Sequence, residues 1–200
     1  MVREKLKLIK IFVILTLLIT GIQSLTKADD IRDFEIEEMS LYDDALEYFS
    51  KKKIIENEED YYKNKKYTTA TIGSSGFNKY QDVQISYRTK DKNYKLLDIS
   101  GIVDMGYKRC LKEIKLISRD FNKMFSNTKH EKLYEFSHSS DKSGESKVSD
   151  MFWEFSNGDK ILLACYNWNT KYGKKRGYVD ELRVTISSKE FDNFLINDAY

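Results

Sequence analysis

Asn157-Gly158 stands between two runs of alternating apolar residues, 148–155 and 160–168. It is the dipeptide that best supplies the two positive φ angles of a type I′ hairpin turn. The spacing therefore predicts two antiparallel strands, with Met151, Trp153 and Phe155 on one face and Phe152 on the other, while Cys165 alternates with Tyr166 in the partner. A chain committed to this hairpin belongs to the antiparallel classes, and the other elements have to fit around it.

Val83, Ile85 and Tyr87 alternate with polar neighbours, and a polar turn at 90–93 leads to a second strand over 94–103, so these two also read as a hairpin. Further strands are expected over 133–136 and 178–186. The clearest helix spans 106–125, where Tyr107, Cys110, Leu111, Ile114, Ile117, Phe121, Met124 and Phe125 recur at helical spacing and mark a core-facing stripe. Met39-Ser40, with Asp43 three residues after Ser40, opens a helical pattern through Leu41, Ala45, Leu46 and Phe49. Ser50 is placed to cap a short helix through Ile54 and Ile55. The charged, aromatic stretch 56–67 reads as a solvated connector, and Gly73-Ser74-Ser75-Gly76 as a turn. Ser187-Ser188-Lys189-Glu190 has the form of a capping box before a closing helix through Phe191, Phe194 and Leu195. Strands and helices do not alternate singly, which predicts an α+β fold, an antiparallel sheet of about five to six strands with helices packed on one face.

The first 28 residues differ from the rest. Four basic residues among the first ten precede an almost wholly apolar run over 11–22, and small residues at Thr26 and Ala28 stand ahead of Asp29-Asp30. This is the order of a secretory signal peptide, with cleavage expected after Ala28 or, second, after Ser24. Twelve apolar residues reach only about 18 Å as a helix, short of the ~30 Å hydrocarbon core, and no Cys near the cleavage site could take a lipid. The expectation is a leader at 1–28 and a single domain at 29–200, periplasmic or secreted, with no stable membrane anchor after cleavage.

Five of the 34 Lys and Arg and one of the 32 Asp and Glu lie in that leader, which leaves 29 against 31 in the mature chain, a net charge of −2. Charges of both signs are interspersed, so nothing points to nucleic acid as a partner. Cys110 and Cys165 are the only cysteines, and an even pair in an exported chain predicts one disulfide. Closing that loop would add about 4 kcal/mol by the chain-entropy argument.

Catalytic signatures are missing from the sequence. His130 and His138 have no further His or Cys within four residues, so they do not form a metal-ligand pattern and read as surface residues. Gly73-Ser74-Ser75-Gly76 is neither a nucleophile elbow nor a phosphate loop. Paired carboxylates are abundant, but a glycosidase needs two set ~5–9 Å apart in a cleft, which sequence cannot identify. No cofactor is implied. The segment 170–177 concentrates Lys171, Tyr172, Lys174, Lys175 and Arg176 between two strands and is the candidate partner-binding loop. The 26 aromatic residues beyond the leader are assigned mainly to the core.

The segment Asp33-Phe34-Glu35-Ile36-Glu37-Glu38-Met39-Ser40-Leu41-Tyr42-Asp43-Asp44-Ala45-Leu46, the following Glu47-Tyr48-Phe49-Ser50 and the closing Glu190-Phe191-Asp192-Asn193-Phe194-Leu195 resemble an uncharacterised family of small exported proteins from low-GC marine bacteria. Members carry Gly before the Met-Ser and again two residues after it, where this chain has Glu38 and Tyr42. The Met39-Ser40 start is also similar, more weakly, to small outer-membrane assembly lipoproteins. Neither resemblance implies functional residues. The sequence thus leads to an exported domain that binds an envelope protein or glycan without catalysis; the alternatives are a small periplasmic hydrolase and an inhibitor of an envelope enzyme.

Overall fold

The structure is a computed structural model, and it describes residues 30–73 and 76–199. The leader and the Ser74-Ser75 pair lie outside the described residues. The chain forms one mixed helix and sheet unit. Its strands are β1 (Glu58–Glu59), β2 (Tyr67–Gly73), β3 (Asp82–Arg88), β4 (Asp98–Asp104), β5 (Lys129–His130), β6 (Tyr134–Ser137), β7 (Lys147–Glu154), β8 (Lys160–Asn167) and β9 (Glu181–Ser187). The helices are α1 (Lys51–Glu56), α2 (Tyr107–Met124), α3 (Thr170–Arg176) and α4 (Lys189–Asn197).

All nine strands join one antiparallel sheet in the order β1-β2-β3-β4-β9-β8-β7-β5, with β6 also paired to β7. Nine strands exceed the five to six expected. The largest addition is β2, whose Thr68, Thr69 and Thr71 hide the apolar alternation while still favouring extended backbone. Two further strands, β1 and β5, are two-residue pairings too short to leave a pattern.

Alternation gives the sheet two unlike faces. Ile85, Ile99, Val184, Ile186, Ile161, Leu163 and Trp153 line the apolar one, all nearly or wholly buried. Onto it α2 presents Cys110, Ile114 and Phe121, and burying Ile114 and Phe121 contributes roughly 1.5–3 kcal/mol each. Phe121 meets Phe34, Phe125 and Trp153 edge to face at centroid distances of 5.2–5.3 Å. The Cys110 and Cys165 sulfurs sit at disulfide distance, fastening the first turn of α2 to β8.

The other face carries Thr69, Gln84, Ser86, Asp98, Ser100, Arg183 and Thr185. Here α4 packs, through Phe191 and Phe194 against Tyr62, Tyr67 and Leu97. The helices therefore lie on both faces, not one, because the stripe of α4 is satisfied by Tyr67 at the rim of the polar face and never reaches the main core.

The helix expected over 39–49 is replaced by turns. Ser40 N–H does donate to the Asp43 carboxylate at 2.8 Å, but Tyr42 has φ 74° and leaves the helical path. Its N–H and the Asp43 carbonyl are taken by Leu96, at 2.8 and 2.9 Å, so residues 94–97 pair with this segment ahead of β4. Just upstream, Ile36 and Met39 exchange both backbone hydrogen bonds around Glu37 (φ 50°) and Glu38 (φ 70°), a tight two-residue hairpin. The Glu37 carboxylate then accepts N–H bonds from Asn78, Lys79 and Tyr80 at 2.8, 2.6 and 3.1 Å, pinning the hairpin to the approach to β3.

The hairpin of β7 and β8 forms as the sequence predicts, including the faces of Met151, Trp153, Phe155 and Phe152. Its turn is a three-residue loop and not type I′: only Gly158 has positive φ, 88°, and Phe155 pairs with Asp159 across it. Ser50 caps α1 as expected. In α4 the cap is Ser188, accepting from Phe191 N–H at 3.2 Å, because Ser187 still belongs to β9; Glu190 instead binds Arg88 and Tyr67.

Candidate ligand-binding cleft

The polar face is a cleft of about 490 Å³, roofed on one side by α4 and on the other by α3 with the end of β8. Its floor is set by strand register. Ser100 in β4 lies between Gln84 in β3 and Thr185 in β9, and Asp98 lies opposite Ser187. Ser100 and Thr185 hydroxyls share a hydrogen bond of 2.8 Å, and Thr69 and Ser86 one of 2.7 Å. Arg183 bonds the Glu181 carboxylate through Nε and donates from Nη1 to the Gln84 amide oxygen at 2.7 Å, and the Gln84 amide nitrogen donates to Thr71 at 3.0 Å. Burial is the main cost for the Glu181 carboxyl and pushes its pKa up, with Arg183 pulling against it.

Asp98 is 7% exposed, and burial pushes its carboxyl up to about 7, partly offset by the nearby Ser187 hydroxyl and Arg183. Ser187 Oγ is buried in the cleft opposite Asp98 and favours the charged form of its carboxyl.

One wall is aromatic. Tyr166 and Trp168 leave β8 on the same side two residues apart, and Tyr172 follows from α3. Trp168 stacks on Tyr166 (5.6 Å, 18°) and on Tyr172 (6.0 Å, 12°), and Tyr178 leans on it at 4.7 Å. The local sequence explains the wall. Asn169 caps α3 by accepting from Lys171 and Tyr172 N–H at 3.0 and 3.1 Å, and Gly177 ends it with φ 72°. Gly173 is closely enclosed, since a Cβ would lie 3.1 Å from Trp168 Cβ and from the Tyr178 carbonyl oxygen. Trp168 N–H is held by Asp180 at 2.9 Å.

The segment 170–177 is thus a capped helix, not an open loop, because the Asn169 side chain takes up the free N–H groups of its first turn. It divides the candidate residues. Tyr172 and Arg176 line the cleft, with the Arg176 guanidinium 3.9 Å over the Tyr172 ring; Arg176 is exposed at its mouth, and Lys171 and Lys175 are exposed away from it. The Lys174 side chain lies outside those described. His130 is exposed, but His138 is half-buried at the cleft rim, 4.6 Å from Trp168. Its Nδ1 accepts from Ser140 N–H at 3.2 Å, and burial followed by Arg183 lowers its pKa, favouring neutral imidazole.

Asp98 and Glu181 sit at opposite ends of the β4 and β9 pairing, six residues apart in register and so roughly 20 Å, too far to work as a glycosidase pair. No group of three His, Cys, Asp or Glu among the described residues could hold a metal ion. No described helix is long and apolar enough to cross a membrane.

Sequence reasoning missed the floor. Gln84, Ser100, Arg183 and Thr185 come from strands about a hundred residues apart, and polar residues alternating in a strand ordinarily mark a solvent face. The available signal was the wall: Tyr166, Trp168, Tyr172 and Tyr178 crowd thirteen residues around the basic segment. No family model, curated protein or solved structure matches the chain.

Proposed function

We propose that this chain is an exported, non-catalytic binding domain whose cleft holds a small polar ligand of the cell envelope or its surroundings. The observation that carries the reading is the pairing of an aromatic wall with a floor of interlocked polar side chains in one recess. Ligand pockets of roughly 300–1,000 Å³ combine apolar contact surface with a few positioned polar groups in this way. Export rests on the order of charges and apolar residues in 1–28 and on the Cys110 and Cys165 pairing, which persists in oxidising compartments.

The test has two parts. N-terminal sequencing of the secreted chain should begin at Asp29. Small-molecule fractions of the envelope and medium should then include one that raises the melting temperature of the mature domain, with the rise lost in Tyr172→Ala. Stabilisation by no fraction, with an envelope protein captured instead, would replace this reading by a protein-binding one.

A further inference from the structure

We infer that the outward side of α2 is a docking strip for a linear acidic polysaccharide, held by Lys108, Lys112, Lys115 and Arg119. This surface lies on the far side of the sheet from the cleft, so the inference goes beyond the binding reading above and does not depend on it. Cys110, Ile114 and Phe121 turn one side of α2 to the sheet, and Lys108, Lys112, Lys115 and Arg119 are exposed on the other. Their spacings of four, three and four residues place them within about 60° of the helix surface, at 3.6 residues per turn. Charges interspersed along the chain are thereby sorted into a single positive row about 17 Å long, with roughly 5–6 Å of rise between neighbours.

A solvated helix face ordinarily interleaves acids and bases, and this one does not. The two acids of α2 stand to one side and are taken, Glu113 by Arg109 at 4.0 Å and Asp120 by Lys123 at 3.5 Å. Among the described residues, Lys108, Lys112, Lys115 and Arg119 form no ion pair. Lys108 with Lys112, and Lys115 with Arg119, are like charges at i,i+4, and each such pair weakens the helix that carries it. The first turn adds to this cost, since it holds Lys108 and Arg109 and no acid where the helix dipole favours anions. In α4 the first turn has Glu190 and Asp192, as the dipole prefers. The whole of α2 carries six basic residues against two acidic, a net charge of +4 in a mature chain of −2, which leaves −6 on the rest of the domain. An anionic partner lying along the row relieves the repulsion, and the uneven charge turns α2 toward it on approach.

The form of the partner follows from the form of the row. Four point charges in single file meet a chain with one charge per repeat, and their spacing is close to the length of one sugar ring in an extended polysaccharide. The flexible stems of the three lysines let the row follow such a chain. An anionic bilayer is a poorer match, because a surface helix holds to lipid by its apolar face, and that of α2 is spent on the sheet and fixed there through Cys110. Duplex DNA carries one charge per ~1.7 Å, about three times the density of the row.

Fluorescein-labelled polygalacturonate and heparin are each titrated with the oxidised mature domain while anisotropy is followed. Saturable binding of at least one polymer at about 50 mM NaCl, weakened roughly tenfold or more at about 200 mM, is the expected result, because each neutralised charge releases counterions. Lys112→Gln, Lys115→Gln and Arg119→Gln combined should lower the affinity about tenfold or more and flatten its salt dependence. The melting temperature of this triple variant should equal or exceed that of wild type, since like-charge contacts are removed. Lys51→Gln, Lys90→Gln and Lys92→Gln combined remove the same charge from exposed positions elsewhere and should bind as wild type does. Tyr172→Ala, in the cleft, should also leave the binding unchanged. Equal weakening by the two triple variants would reduce the effect to net charge and overturn the strip. Loss in Tyr172→Ala with normal binding by the α2 variant would move the polymer to the cleft and overturn it as well. Absence of saturable binding to both polymers at the lower salt, or saturation only by phosphatidylglycerol vesicles or duplex DNA, overturns the polysaccharide partner and leaves the cleft reading to its own melting screen.

Discussion

Arg183 reaches across the whole width of β4 to donate to the Gln84 amide oxygen at 2.7 Å, so that β3 and β9 are tied above a strand that separates them. The same guanidinium holds Glu181 and lies 4.9 Å over the Tyr166 ring. One side chain thus joins floor and wall.

Arg183→Met should be costly for this reason. It leaves Glu181, 10% exposed at its side chain, as a carboxylate without its cation, and the loss should be about 3 kcal/mol in urea denaturation. Adding Glu181→Gln should recover most of it. A single variant as stable as wild type would show that the pair is solvated.

Stability should fall as pH rises from about 4 to 7. Over this interval the folded chain keeps the Asp98 proton, whose pKa burial pushes up to about 7, while the unfolded chain, near 3.9, has released it. Asp98→Asn removes the difference. The variant should match wild type near pH 4 and exceed it by about 2 kcal/mol or more at pH 8, a bound set below the full linkage of the shift. Asp150, raised to about 6 by burial and then Glu131, should leave a shallower slope of the same sign. Parallel curves for the two proteins would count against a buried neutral Asp98.

Glu38 holds φ 70° in the Ile36 to Met39 hairpin, a conformation that suits glycine. Its side chain is exposed, and Glu38→Gly should therefore raise stability by about 0.5–1 kcal/mol, read as a higher urea midpoint at unchanged slope. Glu37→Ala should do the opposite, since its carboxylate gathers three backbone N–H groups.

Gly101 lies under the buried ring of Tyr80, and a Cβ there would come within 2.5 Å of ring carbons. Gly101→Ala should cost about 2–3 kcal/mol by overpacking, and Tyr80→Leu in the same chain should relieve part of that loss.

The parts legible in the sequence were those in which one local pattern meets one environment. The stripe of α2 and the alternation from Met151 to Phe155 were of this kind, because each faces a single apolar layer. The segment from Ser40 to Phe49 misled, since Leu41, Ala45 and Phe49 are buried as a helix would bury them while Tyr42 turns the backbone away and Leu96 claims its hydrogen bonds. Glu38 and Tyr42 are both at positive φ, a conformation that suits glycine, so nothing in their side chains announces the turns they make. The cleft was not legible. Gln84, Ser100 and Thr185 become neighbours only through register, and α4, which turns their face into a recess, is positioned by Tyr67 contacts that no periodicity announces.

The Cys110 to Cys165 link lies on the apolar side of the sheet, one residue before Tyr166 and three before Trp168. That strand end is paired to β7 and β9 as far as Tyr166, so the link adds a third tether, from the opposite face, to the strand that carries the aromatic wall. The aromatic wall and α2 therefore share one anchor point on β8, and reduction of the pair would part helix from strand on the face turned away from the recess.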